Sequence, residues 1–435
     1  MKTEAFLFGD YVVYENVFLY GLLLIYCIKK FSWHNVSVFL AALYFIGSIF
    51  SMLLYVFPLY YSTFTSVNSP TLEGTFHLWG LNALLILSLS KVDLSKIDFI
   101  SKYNKRWMDK SLKFLVVLLS VYVLFTLPDA VASFFSGNDL GEMREESYGN
   151  HGNSIFIISL IARLFGATPT LVLAIASIRI FLLKDSNKWD RYGIYMFILY
   201  KFCNVFSVVS RATIVFSLLE VIVVFFIFFS KINVVLRKQI IKYSVIVFLP
   251  LIFIMSAITE ARFDQSDKLT ASLSNLRYAG EAQLNYINLV YPDLKDPFMG
   301  YRQFCLYRRL LGLPYDDGST RGEDFIYHSY INSHYHWSHP VHVFFTMAGT
   351  WVMNWGFIIP YILAIWVFYK LRKSSNMNGT ISFFTSVFAI IFASYIAKGM
   401  FFPEYQNESG NLLILFLFYL YLKLNKIGYS VKIKK

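Results

Sequence analysis

The sequence predicts an all-α polytopic membrane protein with about eleven transmembrane helices and one large helical loop on the outer (periplasmic or extracellular) face. Three observations predict it. Hydrophobic residues make up 57% of the 435 and charged residues only 15%, whereas soluble domains carry about a quarter charged residues; the mean hydropathy is +0.52. Apolar stretches of bilayer-spanning length, roughly 18 to 25 residues, recur along the chain. One polar segment of about 80 residues, 260–339, interrupts them late in the sequence.

Spans are read near 11–28, 37–57, 75–90, 114–135, 154–183, 192–209, 212–230, 244–258, 355–369, 381–397 and 411–422. They divide the chain into an N-terminal bundle of about eight spans (1–259), the loop (260–340) and about three C-terminal spans (341–435). Orientation follows from Lys and Arg, which concentrate in cytoplasmic loops. Of the 39 basic residues, 24 fall in 29–30, 91–113, 184–191, 231–242, 370–373 and the tail from Lys423. Those loops are expected inside, and the N-terminus, 136–153 and the large loop outside. No small-residue cleavage site follows the first apolar run, which reads as a retained span.

The net charge of +12 is therefore mostly topological, and dispersal over short loops argues against a nucleic-acid partner. Of three cysteines only Cys305 lies in an outward loop, so no intramolecular disulfide framework is possible there. A nucleotide-binding glycine loop and a Cys-x-x-Cys pair are both missing from the sequence.

Charges inside the bilayer are costly, about 2.5–3.5 kcal/mol on insertion scales, so each needs a reason. Arg179 lies near the cytoplasmic end of the fifth span and is expected to snorkel. Arg163 lies deeper, ahead of Gly166 and Pro169, which would interrupt that helix. Lys201 and Glu220 each stand nine residues from the turn at Ser210-Arg211. On antiparallel helices both would sit roughly 13 Å below the outer face and form a buried ion pair. Arg211, at that turn, presents a rigid fork suited to phosphate oxygens, or else snorkels at the interface.

The outward segment Ser136–Asn153 is glycine-rich and acidic with a lone Arg144, which either pairs with Glu142, Glu145 or Glu146 or belongs to a glycan- or phosphate-facing lid. In the large loop, Leu273, Leu276, Leu284 and Ile287 form a stripe at helical spacing with Gly280 in its middle, predicting an amphipathic helix. Its flank carries Arg277, Glu281, Asn285 and Asn288, a row suited to sugar hydroxyls or simply a solvated face. A second helix is expected after Pro297 and Gly300, with Arg302, Arg308 and Arg309 on it, ending at Leu313-Pro314. Three guanidiniums there would cradle a pyrophosphate or form a basic face.

His328, His334, His336, His339 and His342 follow. Their spacing lacks the i,i+4 pair plus acid of a helical zinc site, and no cysteine joins them, so no metal is assigned. A neutral imidazole near pH 7 suits a general base for a sugar hydroxyl. The apolar, glycine-punctuated run 343–360 reads as a re-entrant lead-in to the ninth span.

These residues together resemble the oligosaccharide repeat-unit (O-antigen) polymerases, the Wzy family, which are related to the O-antigen ligases. The resemblance rests on about eleven spans with a late outward loop and on the Ser210-Arg211 turn before a span. It rests also on Arg277-Tyr278-Ala279-Gly280-Glu281, on Gly300, Phe304 and Arg308-Arg309, and on His342 ahead of Gly349 and Gly356. Asn354 stands where related sequences commonly hold an acidic residue before the last glycine.

The resemblance implies a GT-C-like glycosyltransferase of the bacterial cytoplasmic (inner) membrane that needs no metal or other cofactor. It would build a surface polysaccharide, O-antigen or capsule, from undecaprenyl-diphosphate-linked oligosaccharide donor and acceptor. A chain-length regulator and a flippase are the implied partners, besides membrane lipid. Arg211 with Arg302, Arg308 and Arg309 would hold the diphosphate, Arg144, Arg277 and Glu281 the glycan, and His342 or His339 would activate the acceptor hydroxyl. Ligation of glycan to lipid A-core uses the same chemistry with another acceptor. A flippase or transporter is the alternative of a different class, which would favour internal repeats and short loops.

Overall fold

The structure, a computed structural model, describes residues 2–56, 71–90, 92, 97–135, 168–208, 211–242, 244, 246, 279–294, 308, 311–313, 346–375, 379–401, 416–421, 423 and 431–432. In chain order the elements are α1 (Lys2–Lys30), α2 (Val36–Val56), α3 (Leu72–Leu89), β1 (Phe99–Ser101) and α4 (Lys105–Phe135). There follow α5 (Thr168–Leu183), whose last turn is a π-helix, α6 (Lys188–Val208), α7 (Arg211–Phe228) and α8 (234–242). Then come α9 (279–293), α10 (Met347–Trp355), α11 (Ile359–Ser375), β2 (Thr380–Ser382), α12 (Phe383–Lys398), α13 (416–421) and β3 (Val431–Lys432).

The chain is an all-α membrane protein. Among the described residues, five helices are long and apolar enough to cross a bilayer: Tyr11–Lys30, Val36–Val56, Leu72–Leu89, Lys105–Pro128 and Thr213–Lys231. Thr168–Leu183 and Phe383–Lys398 are shorter apolar helices. Large apolar side chains on α4 point away from the protein, Leu124 at 70% and Phe125 at 78% exposure, as a lipid-facing surface requires. The expected eighth span falls almost wholly outside the described residues.

Two compact units divide the chain: Met1–Val92 with Ser272–Lys373 and Tyr395–Ser409, and Asp93–Ala271 with Ser374–Ser394 and Gly410–Lys435. In the second unit α4 packs chiefly on α6 and α6 on α7. Within that unit, β1 pairs in parallel with β2 (Phe99 opposite Thr380) and antiparallel with β3 (Phe99 opposite Lys432). β1 and β3 lie in two of the segments grouped above by their basic residues, 91–113 and the tail, and β2 follows a third, 370–373.

Arg179 departs from expectation. It does not snorkel but is fully buried, with Nη2 2.5 Å from Asp109 Oδ1 and 3.1 Å from the Asp185 carbonyl, and Nε 3.1 Å from Asp190 Oδ1. The Asp185 carboxylate accepts from Tyr103 (3.0 Å) and from Lys105. A guanidinium offers five donors in a fixed fork, and the carboxylates of Asp109 near the start of α4 and Asp190 near the start of α6, with the Asp185 carbonyl, are the alternative to reaching water.

In the first unit α1 packs on α2 and α3, and α9 and α10 pack on α3 and on each other. Within the run expected as a lead-in to the ninth span, α10 is a separate helix, buried from Met347 to Asn354, and α11 begins after a turn, at Ile359. Gly356 makes that break at φ +75°, where L-residues rarely go, and its N–H closes α10 onto the Val352 carbonyl at 2.7 Å. Thr346 caps the other end, its hydroxyl accepting from the Gly349 N–H at 3.1 Å.

Candidate functional site

Helix α9 carries the most unusual chemistry in the first unit. Among a bundle's apolar helices, a polar side chain survives only where it finds a partner, because lipid supplies none. Yet every residue from Ala279 to Asn288 is buried, including Glu281, Gln283, Asn285 and Asn288.

Close approach to α2 makes this possible. Gly280 lies against the α2 backbone, where an added Cβ would stand 2.6 Å from the Phe50 carbonyl carbon. Ser51 Oγ donates to the Gly280 carbonyl at 2.6 Å, and Gly47 faces Gln283. Small residues spaced four apart on α2 thus admit a second backbone, as in close-packed membrane helices. One turn deeper, Gln283 accepts from Asn16 of α1 (2.8 Å) and donates to the Tyr44 carbonyl (3.2 Å). Tyr44 is roughly 18 Å along α2 from Val56, so α9 is inserted among the bundle helices.

The sequence stripe was expected to bury Leu284 and Ile287 and leave Glu281, Asn285 and Asn288 on a flank toward solvent or sugar. The described residues place both sets inside. Periodicity reports which side chains share a face, and a helix sunk among others buries all its faces. A π-turn at Tyr286–Val290 also alters the register of the polar row.

His77 of α3 anchors the far end of α9. Its Nε2 lies 3.3 Å from the Phe357 carbonyl, which only accepts, so Nε2 holds a proton and Nδ1 of the neutral ring takes the Tyr286 hydroxyl at 2.8 Å. Tyr361 donates to the His77 carbonyl at 2.7 Å. Rings of Tyr286, Tyr291, Phe357 and Tyr361 surround the imidazole with centroids 4.9 to 6.1 Å away. With both nitrogens engaged, His77 positions neighbours and has no free nitrogen for proton transfer. Nearby, Tyr20 accepts from Asn82 at 2.7 Å. Sequence reasoning passed over His77; the available signal was a lone imidazole in an apolar span, where a polar group needs a partner.

Three more buried groups on α9 and α10 have hydrogen-bonding atoms without a partner: both amide atoms of Asn288, the indole N–H of Trp351 and the amide oxygen of Asn354. The amide nitrogen of Asn354 donates to the Thr350 carbonyl at 2.9 Å.

In the second unit the expected ion pair is present: Lys201 Nζ is 3.2 Å from both oxygens of the fully buried Glu220, and Thr170 donates to Glu220 at 3.2 Å. Arg211 is the first residue of α7, which puts its backbone at a helix N-terminus; its side chain lies outside the described residues. Arg308 is half-buried and engaged. Gly312 stands at φ +66° and the Leu313 N–H bonds to the Arg308 carbonyl at 2.8 Å, the left-handed turn that commonly ends a helix; the rest of the expected second helix lies outside the described residues. Glu281 is placed in α9. Arg144, Arg277, Arg302, Arg309, His339 and His342 lie outside the described residues. Among the described residues no group of three His, Cys, Asp or Glu is placed to hold a metal.

Compared with family models, curated proteins and solved structures, the chain matches none.

Proposed function

We propose that this chain polymerises undecaprenyl-diphosphate-linked oligosaccharide repeat units into a surface polysaccharide on the outer face of the bacterial cytoplasmic membrane. The reading takes about eleven spans in a GT-C-like arrangement, N-terminus out and C-terminus in. The observation that carries it is the insertion of α9, from a segment whose Lys and Arg pattern assigns it to the outer face, with Glu281, Gln283, Asn285 and Asn288 buried within a bundle. Amides and a carboxyl are the groups that recognise sugar hydroxyls. A lipid-anchored glycan has to present those hydroxyls close to the bilayer.

In the reaction, a hydroxyl of the new repeat unit attacks the anomeric carbon of the growing chain. The bond from that carbon to the diphosphate oxygen breaks, and undecaprenyl diphosphate departs with the electron pair. The hydroxyl proton passes to a base, for which His342 or His339 is the assignment. Developing charge on the diphosphate needs fixed cations; Arg211, joined to the N-terminal amides of α7, meets that need in a way Lys would not, with Arg302, Arg308 and Arg309 as further candidates and Arg144, Arg277 and Glu281 on the glycan.

The test is a ladder of longer glycans on a gel, from protein purified in detergent and a lipid-diphosphate-linked repeat unit, with and without EDTA. A ladder that survives EDTA and disappears in Arg211→Ala and His342→Ala supports the reading. A wild type that forms no ladder, or one indifferent to Arg211, sinks it. If glycan moves only when a lipid A-core acceptor is added, the ligase reading replaces it. The buried Lys201–Glu220 pair favours a second reading, a transporter, since intramembrane ion pairs mark substrate and proton paths. Flux of lipid-linked glycan across proteoliposomes without elongation would establish that one.

A further inference from the structure

We propose that Asn288, Trp351 and Asn354 form a subsite for one pyranose ring of the lipid-linked repeat unit, an inference that rests on the polymerase reading. Trp351 and Asn354 are three residues apart, so they share one face of α10. Asn288 stands on α9, against which α10 packs. All three are buried, at 7%, 1% and 0% exposure, and each has polar atoms with no hydrogen-bond partner.

Leaving such groups unpaired inside a protein is unfavourable, so three of them on two packed helices need a reason. The atoms specify the ligand. Asn288 offers two N–H donors and an acceptor, Trp351 one donor, Asn354 one acceptor. A phosphate would call for donors with positive charge, and a cation for acceptors alone; a mixed set with no charge matches hydroxyls, which give and accept. The indole adds an apolar face against which the C–H side of a sugar ring packs. The chain also supplies rigidity, since α10 is fixed at one end by the Thr346 cap and at the other by Gly356. Met347 N–H bonds to the Gly399 carbonyl at 2.7 Å, and a Cβ on Gly399 would stand 2.4 Å from Met347 Cβ, so the start of α10 is held tightly.

Binding and stability should separate. Wild type, Asn288→Leu and Trp351→Phe, each as the full chain in lipid nanodiscs, are titrated with undecaprenyl diphosphate carrying the repeat unit isolated from the host cell, and with undecaprenyl diphosphate alone. Thermal midpoints are read on the same samples. The expected result is a loss of about tenfold in affinity for the glycan-bearing lipid, the size of one hydrogen bond. Affinity for the bare lipid stays the same, and the midpoints hold or rise, because a costly unpaired group has gone.

Unchanged affinity for the glycan-bearing lipid overturns the subsite and leaves a hydrated polar pocket only. Equal loss for both lipids with lowered midpoints overturns it in favour of a packing role. Wild type that binds the glycan-bearing lipid no more tightly than the bare one also overturns it. Failure of the polymerase reading is distinct: a wild type that selects the glycan-bearing lipid through these residues yet builds no ladder keeps the subsite and loses the polymerase.

Discussion

Gly280 and Phe50 meet backbone to backbone: a Cβ on the glycine would lie 2.6 Å from the Phe50 carbonyl carbon and 2.7 Å from its oxygen. Neither atom belongs to a side chain that can swing away. Gly280→Ala is therefore expected to force α9 off α2, at the cost typical of overpacking, about 1–3 kcal/mol. Thermal unfolding in detergent checks it, with Ser51→Ala as the comparison. That variant loses only the 2.6 Å bond to the Gly280 carbonyl, about 1 kcal/mol. If Gly280→Ala unfolds no earlier than Ser51→Ala, the close crossing is not what holds α9.

The same glycine shows what was legible in the sequence. In the stripe of α9 it reads as a gap that weakens a helix; its purpose depends on a partner 230 positions earlier, which periodicity cannot name. Hydropathy located the five bilayer-length helices among the described residues because lipid demands long apolar segments whatever their partners. The Lys201–Glu220 pair was legible because equal spacing from one turn fixes equal depth. The Asp partners of Arg179 were not, since proximity to a helix end predicts snorkelling equally well. The contacts of His77 and the unpartnered atoms of Asn288 and Asn354 could not be read from the sequence for another reason. Their meaning lies in which bonds they make or lack, and composition does not record that.

Tyr286 and His77 should prove coupled. Tyr286→Phe leaves Nδ1 of a half-buried imidazole without its 2.8 Å partner, an expected loss of about 1–3 kcal/mol. In a His77→Phe background the same change should cost much less, because no nitrogen remains to be orphaned. A double-mutant cycle on unfolding free energies reads the difference. Strict additivity would mean that the rings only pack and the hydrogen bond contributes nothing.

Lys201 and Glu220 allow a structural role to be told from a functional one. Lys201→Met alone strands a fully buried carboxylate and is expected to destabilise by about 3–5 kcal/mol. Lys201→Met with Glu220→Leu removes both charges and should recover most of that loss. If the double variant folds and still elongates glycan, the pair only joins α6 to α7. If it folds but is inactive, the pair belongs to the mechanism, and the transporter reading gains.

Asp190 gives a pH dependence whose sign can be worked out. Around Arg179, three carboxylates (Asp109, Asp185 and Asp190) face two cations, Arg179 and Lys105. Burial pushes the Asp190 carboxyl above its ordinary range, outweighing the Asn187 N–H and Arg179, which pull it down. The folded pKa thus exceeds the unfolded value of about 3.9. The group favours the folded state when protonated, and that contribution is lost as pH rises through the folded pKa. Wild type should therefore gain stability relative to Asp190→Asn as pH falls from 7 toward 4, because the amide does not titrate. Midpoints measured side by side across that range decide it. A difference that stays flat, or that shrinks on acidification, would show that the ion pair with Arg179 dominates and that Asp190 remains charged throughout.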